Sequence, residues 1–365
     1  MPGLYIHVPF CDGKCPYCDF YSLPGDGRAM DAYVRRAVEA MGEWAGTQVD
    51  TVYFGGGTPN LLGAGRLSRL LDAAGGAFSI APGAEVTVEA NPTHVGRAFF
   101  ADLRAAGFNR LSMGLQSADN GELALLGRAH RAGDAAQAVG DAQAAGFGNI
   151  SLDLMLALPG GSQEKLGRSI AFAAGLGVQH ISSYMLKVEE GTPFARQALA
   201  LPDEDGAADQ YLFCVEELAR RGFAQYEISN FARPGFESRH NLTYWHGDGY
   251  VGIGPGAHSF WGGRRFYYPR DLAAFLGGCR PVPDGAGGSF QEFAMLNLRL
   301  IRGLVRSDCT ARFGPAGGAA FDRMLGNARS CPPHLLWATP QALGFTPEGF
   351  LVSNALLLRL CDGAG

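Results

Sequence analysis

Three cysteines lie close together near the start of the chain, as Cys11, Cys15 and Cys18. Crowded thiolates repel one another, so three on one short loop are normally held by a metal ion or an iron–sulfur cluster. A cluster that is held by three cysteines keeps one iron open to a further ligand. The spacing therefore indicates a metal centre with a free coordination position.

A structural zinc site is the alternative interpretation of this loop. Closed sites built from three cysteines and one histidine are common, and His7 is the candidate for the fourth ligand. Zinc motifs, however, usually bring their ligands as two separated pairs, whereas these three cysteines form a single group. A cluster is therefore favoured over zinc, and a disulfide is less favoured still.

The segments around and after the cysteines indicate alternating strands and helices. Apolar runs predict six strands, at 4–8, 49–54, 85–90, 110–115, 150–156 and 180–186. Helical spacing of apolar residues occurs between them, at 28–44, from 65, and at 95–106, 134–145 and 163–174. Because parallel strands need long crossovers, this alternation predicts an α/β fold with a parallel sheet, as an open or closed barrel.

Polar residues and glycines lie just after or near the C-terminal ends of the predicted strands. The cysteines follow the first strand, the glycines at 55–57 follow the second, Glu89 ends the third, Gln116 follows the fourth and Asp153 lies on the fifth. Taken singly, each has a structural explanation, such as a tight turn or a paired carboxylate. Active sites of α/β barrels form at this face, so their joint placement predicts one site.

Composition places limits on the function. The chain has 365 residues, 47% of them hydrophobic and 18% charged, with a formal net charge of −5, which suits about two domains. No dense basic cluster is present, which argues against a nucleic-acid surface. With no apolar run of about 18 residues and no visible leader, we expect a cytoplasmic protein. The remaining cysteines, at 214, 279, 309, 331 and 361, are expected to be buried small hydrophobes.

Motifs along nearly the whole chain carry a resemblance to a known family. They lie at 5–11, 55–59, 112–117, 226–232, 239–245, 252–259 and 343–350. The set resembles the HemW family, heme chaperones of the radical S-adenosylmethionine (SAM) superfamily that are related to oxygen-independent coproporphyrinogen III oxidase. The resemblance implies a radical SAM partial (β/α)6 barrel over 1–225 and a connecting region over 226–288 that carries the HNLTYW motif. A smaller, mainly helical C-terminal domain over 289–365 completes the implied organisation.

Three local expectations concern this second half of the chain. The Pro- and Gly-rich segment 281–288 is expected to be a linker. The segment 290–302 reads as an amphipathic helix that opens the C-terminal domain, and the Leu-rich segment 350–360 closes it.

The resemblance also implies site residues. Cys11, Cys15 and Cys18 would hold a [4Fe–4S] cluster, whose open iron takes the amino and carboxylate groups of SAM. The SAM pocket would be lined by Tyr5, Tyr17, Gly55, Gly56, Gly57, Thr58, Glu89, Gln116, Arg128 and Asp153. Among these, Tyr17 would pack on the adenine, Arg128 would pair with the carboxylate, and Gln116 and Asp153 would reach the ribose hydroxyls.

Heme contact is implied for the HNLTYW motif, through His240, Asn241, Tyr244 and Trp245. An imidazole could ligate iron, and the two aromatics could cover a flat apolar macrocycle. The alternative is a core histidine beside core aromatics. His258 is a second candidate for the iron ligand.

The function implied is that of a heme chaperone, which binds the cluster, SAM and heme and delivers heme to acceptor hemoproteins. An electron donor such as a flavodoxin or ferredoxin and a transient membrane contact are further expected partners. Whether SAM is cleaved, and hence whether the chain is an enzyme, stays open. The alternative is the oxidase itself. That branch typically has a fourth cysteine that gives Cys-x-Cys after the triplet, where this chain runs Cys18-Asp19-Phe20, and an N-terminal extension ahead of the motif.

Overall fold

Six parallel strands form the centre of the fold. The structure, a computed structural model, describes residues 2–363, so the last two residues of the expected C-terminal domain lie outside it. The strands are β1 (Gly3–Val8), β2 (Gln48–Gly56), β3 (Ser79–Ala90), β4 (Arg110–Gln116), β5 (Ile150–Leu156) and β6 (His180–Met185). They are neighbours in this order and each adjacent pair is parallel. The predicted α/β class and all six strands are confirmed.

The crossovers between these strands are helical. They contain α1 (Gly27–Gly42), α2 (Ala64–Ala77), α3 (Arg97–Ala106), α4 (Asn120–Leu125), α5 (Ala132–Ala144) and α6 (Gln163–Gly175), and α7 (Glu204–Arg220) follows β6. Each long helix buries one apolar stripe against the sheet, as Tyr33, Val34, Ala37 and Met41 of α1 do. Side chains fix several of the starts, since Asp26 accepts a hydrogen bond from the backbone of Ala29 at α1 and Asp203 accepts from Gly206 at α7.

The sheet continues beyond the six parallel strands on both sides. Past β6 lie β7 (Ala224–Gln225) and β8 (Asn230–Ala232), and past β1 lie β9 (Tyr250–Ile253), β10 (His258–Trp261), β11 (Arg264–Tyr267) and β12 (Val282–Ala286). Among residues 2–363 the result is one 12-stranded sheet that runs from β12 to β7 with two separate ends, as a partial barrel requires.

The prediction of a linker at 281–288 is wrong. The central residues of this segment form the edge strand β12, which pairs antiparallel with β11. All five residues of β12 are exposed. Backbone hydrogen bonds alone hold this strand in the sheet, so its side chains need not be apolar. The sequence therefore shows no apolar pattern that would predict a strand here.

The C-terminal region is mainly helical, as expected, and contains a small sheet. Its helices are α10 (Phe290–Asn297), α11 (Arg306–Ala328), α12 (Pro347–Leu351) and α13 (Ser353–Leu360), which follow α8 (Arg239–Trp245) and α9 (Leu272–Leu276) of the connecting region. Strands β13 (Leu304–Val305), β14 (Leu336–Ala338) and β15 (Ala342–Phe345) pair antiparallel in the order β13-β15-β14. None of the helices in residues 2–363 is long and apolar enough to cross a bilayer.

The helix expected at 290–302 ends at Asn297, five residues early. The following residues turn back to the barrel, where the backbone N–H of Ile228 donates to Arg299 and that of Ile301 donates to Tyr226. The apolar residues Leu298 and Ile301 therefore pack from an irregular segment, although their spacing fits a helix.

The inner face of the barrel is polar and hydrogen-bonded. The His180 imidazole bonds the Ser151 hydroxyl at 2.7 Å and the Tyr226 hydroxyl at 2.9 Å. Arg110 is 2% exposed, and its guanidinium lies 3.9 Å from the Glu85 carboxylate, which is 6% exposed. Buried polar groups need such partners, because an unpaired one costs about 1–3 kcal/mol.

Replacing the Glu85 carboxylate tests how much this buried ion pair contributes to the stability of the barrel. Glu85 also accepts hydrogen bonds from the backbone N–H groups of Arg239 at 3.1 Å and His240 at 3.0 Å, at the start of α8. Glu85→Ala leaves Arg110 as an uncompensated buried charge, so we expect the free energy of unfolding to fall by about 3–5 kcal/mol in urea denaturation.

Glu39→Ala is the matched control. Glu39 is 67% exposed and pairs with Arg36 at 3.6 Å on the surface of α1. Its removal is expected to change the free energy of unfolding by less than about 1 kcal/mol. Equal small effects of both substitutions would contradict a structural role for the Glu85 carboxylate.

Candidate functional site

A cavity of about 410 Å³ lies at the C-terminal ends of the parallel strands, beside the cysteine loop. Most of the predicted cluster and SAM residues line it: Cys11, Cys15, Tyr17, Cys18, Gly56, Gly57, Thr58, Glu89, Gln116, Arg128 and Asp153. Tyr5 and Gly55 are not among its lining residues. The structure thus brings together side chains that are spread over about 140 positions of the chain, between 11 and 153.

The cysteine loop is closed at its base by backbone hydrogen bonds. The N–H of Cys11 donates to Leu23 at 3.1 Å, and the N–H of Leu23 donates to Pro9 at 2.9 Å. Within the loop, the N–H of Cys18 donates to Cys15 at 3.1 Å. All three thiols are free, partly buried and face the cavity, and burial raises the pKa of the Cys18 thiol. A cation or cluster at this position would favour the thiolate forms.

His7 does not complete a zinc site with these cysteines. Its Nε2 is 2.9 Å from the Tyr21 carbonyl, to which it donates, so its Nδ1 accepts from the Tyr5 hydroxyl at 3.0 Å. Burial lowers the pKa of His7 to about 4, which keeps the ring neutral. Both ring nitrogens of His7 are therefore engaged within the barrel, so His7 is not placed as a fourth metal ligand beside the three cysteines.

The glycines at the end of β2 allow the backbone to run against the cysteine loop. The N–H of Gly57 donates to Val8 at 2.8 Å, and the N–H of Thr58 donates to Phe10 at 2.7 Å. A Cβ atom at Gly57 would lie 2.5 Å from the Phe10 carbonyl oxygen, which no side chain tolerates. Gly56 has φ +108°, and a Cβ there would lie 2.5 Å from the His7 ring. Glycine is required at both positions for steric reasons.

Two buried carboxyl groups lie on the cavity floor. Glu89 accepts hydrogen bonds from the Tyr53 hydroxyl at 2.7 Å and from the Gly56 N–H at 3.1 Å. Burial raises the pKa of Glu89 to about 7, with a smaller contribution from Asp153. Burial likewise raises the pKa of Asp153 to about 6, although hydrogen bonds from Ser182 and Ser112 oppose the shift. Both groups can accept hydrogen bonds from hydroxyl or ammonium groups in the cavity once they are ionised.

Gln116 lies at a break in the regular pairing of β4. Its φ is +69°, in the left-handed region, and the register between β4 and β5 shifts between Gly114 and Gln116. A Cβ atom at Gly114 would lie 2.7 Å from Gln116 Nε2 and 3.1 Å from Arg128 Nη2. Non-glycine residues in this conformation are uncommon and cluster at functional sites, and here the break directs the Gln116 amide into the cavity.

Arg128 and Thr58 contact two of the cysteines and are linked to each other by Asn91. Arg128 Nη1 lies 3.7 Å from Cys15 Sγ, and Thr58 Oγ1 lies 3.2 Å from Cys11 Sγ. The Asn91 amide bonds both, since its Nδ2 donates to Thr58 Oγ1 at 3.2 Å and its Oδ1 accepts from Arg128 Nη2 at 2.7 Å. A continuous chain of polar contacts therefore joins Cys11 to Cys15.

Half of the residues that line the cavity were not predicted. They are Gly13, Lys14, Phe20, Ser22, Pro59, Ala90, Asn91, Ser112, Gly114, Met155 and Tyr184. The rule that located Glu89 and Gln116 extends to three of them: Asn91 follows β3 directly, and Ser112 and Gly114 alternate with Gln116 on one face of β4.

The two predicted tyrosines have different surroundings. Tyr17 lines the cavity, with its ring 6.3 Å from that of Phe194, in a small apolar cluster that includes Leu126 and Leu158. Tyr5 lies deeper, with its hydroxyl on His7 and its ring 6.2 Å from that of Tyr53. Tyr5 therefore supports the cavity from below through His7.

The HNLTYW motif lies on α8, at the opposite end of the barrel from the cysteines. His240 is 1% exposed, with its Nδ1 2.7 Å from Thr51 Oγ1 and its Nε2 2.8 Å from the Tyr244 hydroxyl. Its ring stacks on Tyr53 at 5.0 Å, and burial lowers its pKa to about 3. In this conformation both ring nitrogens are hydrogen-bonded and the ring is packed as a core histidine would be, while heme contact by His240 stays a prediction.

The rest of the motif joins the barrel to the C-terminal region. The Tyr244 ring packs edge-on against Tyr250 at 4.6 Å. The Trp245 carbonyl accepts from the Asn297 amide at 3.3 Å, and the N–H of Asn241 donates to Ser238. Asn241, Tyr244 and Trp245 are each partly buried, and their contact with heme stays a prediction.

His258, the second candidate, is exposed at the start of β10. Its ring stacks on Tyr267 of β11 at 5.2 Å with an interplanar angle of 23°. Within the part of the chain that the structure describes, no hydrogen bond to this imidazole is found, so both nitrogens face solvent or a ligand.

The chemistry of the cavity fits a cluster and SAM. Three thiols for iron, two carboxyls and an amide for hydroxyl and ammonium groups, and a cation for a carboxylate face one space. Arg128 Nε is buried with no hydrogen-bond partner among residues 2–363, which is the state expected of a donor that awaits a ligand.

Comparisons with known proteins agree with this site. Residues 5–173 match the radical SAM superfamily. The chain is 44% identical over 378 residues to the heme chaperone HemW of Mycobacterium tuberculosis, covering 98% of this chain and 94% of that protein. The chain belongs to the HemW family. HemW of Bacillus subtilis is 37% identical over 373 residues, covering 97% of each chain.

The chain also shares its fold with a solved structure. Coproporphyrinogen III oxidase (HemN) from Escherichia coli matches with a TM-score of 0.84, covering 99% of this chain and 90% of that one, at 21% sequence identity. At this identity the match shows the fold, which is the radical SAM architecture with a helical C-terminal region. The predicted family and fold are thus confirmed.

The steric need for glycine beside the cysteine loop is open to test. Gly57→Ala forces a Cβ against the Phe10 carbonyl, so we expect the free energy of unfolding to fall by about 1–3 kcal/mol. Gly65→Ala is the control, because Gly65 lies in α2 with no atom within 4 Å of its Cβ position, and alanine favours a helix by about 1 kcal/mol. Thermal denaturation of both variants gives the comparison, and a stable Gly57→Ala protein would contradict the close approach.

Proposed function

We propose that this chain is a HemW-type heme chaperone, which binds a [4Fe–4S] cluster, SAM and heme and delivers heme to acceptor hemoproteins. The observation that carries the proposal is its near full-length identity of 44% to a heme chaperone. The cavity supports it, because three cysteine thiols and the complementary polar groups face one space. The proposed chaperone role does not require that SAM be cleaved.

Each part of the cavity has a role in this proposal. Cys11, Cys15 and Cys18 hold the cluster, which, when bound, supplies an open iron and a reducing electron to SAM. Gly56 and Gly57 give the amino group of SAM close access to the backbone, and Arg128 pairs with its carboxylate. Gln116 and Asp153 accept hydrogen bonds from the ribose hydroxyls, and Tyr17 packs on the adenine.

An apolar rim at the cavity mouth supports heme binding. Phe20 is 65% exposed and Tyr184 is 43% exposed, and both line the mouth. Met185, which follows Tyr184, is 39% exposed. Exposed large apolar side chains at a cavity mouth mark binding surfaces, and a flat macrocycle covers such a rim well.

The residues after the cysteine triplet favour the chaperone over the oxidase alternative. The oxidase branch typically continues the triplet as Cys-x-Cys, whereas this chain runs Cys18-Asp19-Phe20 and its Asp19 carboxylate pairs with Arg270 at 3.2 Å. This segment therefore offers no fourth thiolate. The likeness to the oxidase structure concerns the fold alone.

We further propose that the chain works in the cytoplasm, with acceptor hemoproteins as its principal partners. A flavodoxin or ferredoxin would serve as the electron donor if SAM is cleaved. Contact with a membrane surface during heme delivery needs no spanning helix.

Heme titration of the anaerobically reconstituted protein tests the function. Saturable binding near one heme per chain, followed by heme transfer to an apo-hemoprotein, is the expected result. Incubation with coproporphyrinogen III, SAM and reductant should give no protoporphyrinogen, and turnover there would instead establish the oxidase. Cys15→Ser should lose the cluster, which separates heme binding from cluster binding.

The two histidine candidates for the heme ligand differ in availability, so paired variants decide between them. We expect His258→Ala to weaken heme binding about tenfold and to change the Soret band, because an axial imidazole is lost. His240→Ala should lower the unfolding temperature, since two hydrogen bonds and a stacking contact are removed, yet leave heme affinity within about twofold. The reverse pattern would show that α8 opens to expose His240.

The pKa of Glu89 predicts a pH dependence for SAM binding. Because that pKa is about 7, the carboxyl is largely protonated at pH 6 and largely ionised at pH 8. The positive charges of SAM favour the ionised form, so a proton must leave on binding, and affinity should be about tenfold lower at pH 6 than at pH 8.

Glu89→Gln is the control for this dependence, because it keeps the shape of the side chain but does not titrate. Isothermal titration calorimetry with SAM at both pH values gives the measurement. Asp153, with a pKa of about 6, contributes at the lower end of the range. An undiminished pH dependence in Glu89→Gln would remove Glu89 from this role.

A further inference from the structure

We propose that Asn91 is a positioning residue that directs hydrogen bonds onto two of the cluster cysteines and thereby raises the reduction potential of the bound cluster. The inference rests on the proposed function, because it assumes that Cys11, Cys15 and Cys18 hold a cluster. Asn91 lies directly after β3 and lines the cavity, and within residues 2–363 its side chain hydrogen-bonds Thr58 and Arg128 but no cysteine. It acts through Thr58 on one side and Arg128 on the other.

The first arm runs through the Thr58 hydroxyl. Asn91 Nδ2 donates to Thr58 Oγ1 at 3.2 Å, and the same oxygen lies 3.2 Å from Cys11 Sγ. A hydroxyl that accepts from an amide leaves its own hydrogen to donate, and Cys11 sulfur is the neighbour in reach. Thr58 is 3% exposed and its backbone N–H is bonded to Phe10 at 2.7 Å, so the residue is fixed.

The second arm runs through the guanidinium of Arg128. Asn91 Oδ1 accepts from Arg128 Nη2 at 2.7 Å, and the Gly114 carbonyl accepts from the same nitrogen at 3.1 Å. These two acceptors hold the guanidinium so that Nη1 lies 3.7 Å from Cys15 Sγ. A positive donor beside a thiolate stabilises its negative charge.

The orientation of the Asn91 amide is determined by these partners. If the amide were flipped, its NH2 group would face the Arg128 guanidinium. A guanidinium has no lone pair that could accept a hydrogen bond, so the flipped amide would lose this contact. The backbone N–H of Asn91 donates to Asn60 Oδ1 at 3.0 Å, and Asn60 Nδ2 donates to the Thr93 carbonyl at 3.0 Å. Asn91 is therefore fixed in backbone and side chain, and both donors are fixed with it.

Hydrogen bonds to cluster sulfurs favour the reduced cluster, because it carries one more negative charge. Removing the Asn91 amide frees the Thr58 hydroxyl to turn and removes one of two anchors of Arg128. The reduced state then loses more stabilisation than the oxidised state. A lower reduction potential and weaker SAM binding follow from the same change, because Arg128 is also the proposed partner of the SAM carboxylate.

The test is a redox titration of reconstituted protein followed by electron paramagnetic resonance, with SAM affinity measured alongside. We expect Asn91→Ala to lower the reduction equilibrium constant about tenfold, which is about 59 mV for a one-electron couple. Thr58→Val should also lower this reduction equilibrium constant. In the Asn91→Ala background, the Thr58→Val substitution should have less effect than in the wild type, because Asn91 acts on Cys11 through Thr58.

Asn109→Ala is the matched control. Asn109 lies at the other end of β3 and β4, where its side chain bonds the backbone of Val86 and Ala84, both at 2.8 Å. The reduction potential of the cluster in Asn109→Ala should equal that in the wild type, even if the unfolding temperature of this variant falls. An equal shift in Asn109→Ala would overturn the proposal, since general loosening would then explain it.

Each of the remaining outcomes also bears on the inference or on the proposed function. Full iron content in Asn91→Ala with an unchanged potential and unchanged SAM affinity overturns the inference and leaves the proposed function intact. If Asn91→Ala takes up no cluster, Thr58→Val decides alone, and a wild-type potential in that variant overturns the inference. A wild-type protein that takes up no cluster overturns the proposed function, and this inference with it.

Discussion

The close approach of the end of β2 to the cysteine loop is the constraint on which the site depends. Two backbone hydrogen bonds, from Gly57 to Val8 and from Thr58 to Phe10, hold the two segments together where no Cβ atom would fit. The approach places the Thr58 hydroxyl on Cys11 and the Gly56 N–H on the Glu89 carboxylate. Because backbone atoms set these distances, the cavity is formed before any ligand arrives, which lowers the entropic cost of binding.

The polar interior of the barrel follows from the alternation of its strands. Apolar residues face the helices, and the inward positions carry polar groups whose charged forms burial disfavours, as shown by the raised pKa of Glu89 and Asp153 and the lowered pKa of His180. The same interior explains His240. It enters from α8 onto Thr51 and Tyr53 of β2, so the most distinctive residue of the HNLTYW motif stabilises the base of the barrel.

Features that depend on a local pattern of residues could be predicted from the sequence. Features that depend on hydrogen-bonded pairing between distant segments could not. All six parallel strands follow from apolar runs. The rule that sites form at strand ends locates the three cysteines and the cavity residues Gly56, Gly57, Glu89, Gln116 and Asp153, whereas Tyr17, Thr58 and Arg128 follow only from the family resemblance. Strand β12 has no buried face, since all five of its residues are exposed, so it has no alternating apolar pattern. Helix α10 ends early because residues 299–301 pair with 226–228. Cys279 and Cys361 are only partly buried, whereas the other scattered cysteines are buried as expected.

The attachment of the cysteine loop shows what Asp19 contributes. Its ion pair with Arg270 joins side chains that are 51% and 59% exposed, and such pairs contribute about 0–1 kcal/mol. Tyr21 does more, because its carbonyl accepts from the buried His7 and its hydroxyl accepts from the Leu272 N–H at 2.8 Å. The loop would therefore keep its position with another residue at 19. The segment Cys18-Asp19-Phe20 lacks the Cys-x-Cys pattern, so the loop offers three thiols while its attachment to the barrel does not depend on residue 19. One scaffold can in this way carry loops with different ligands.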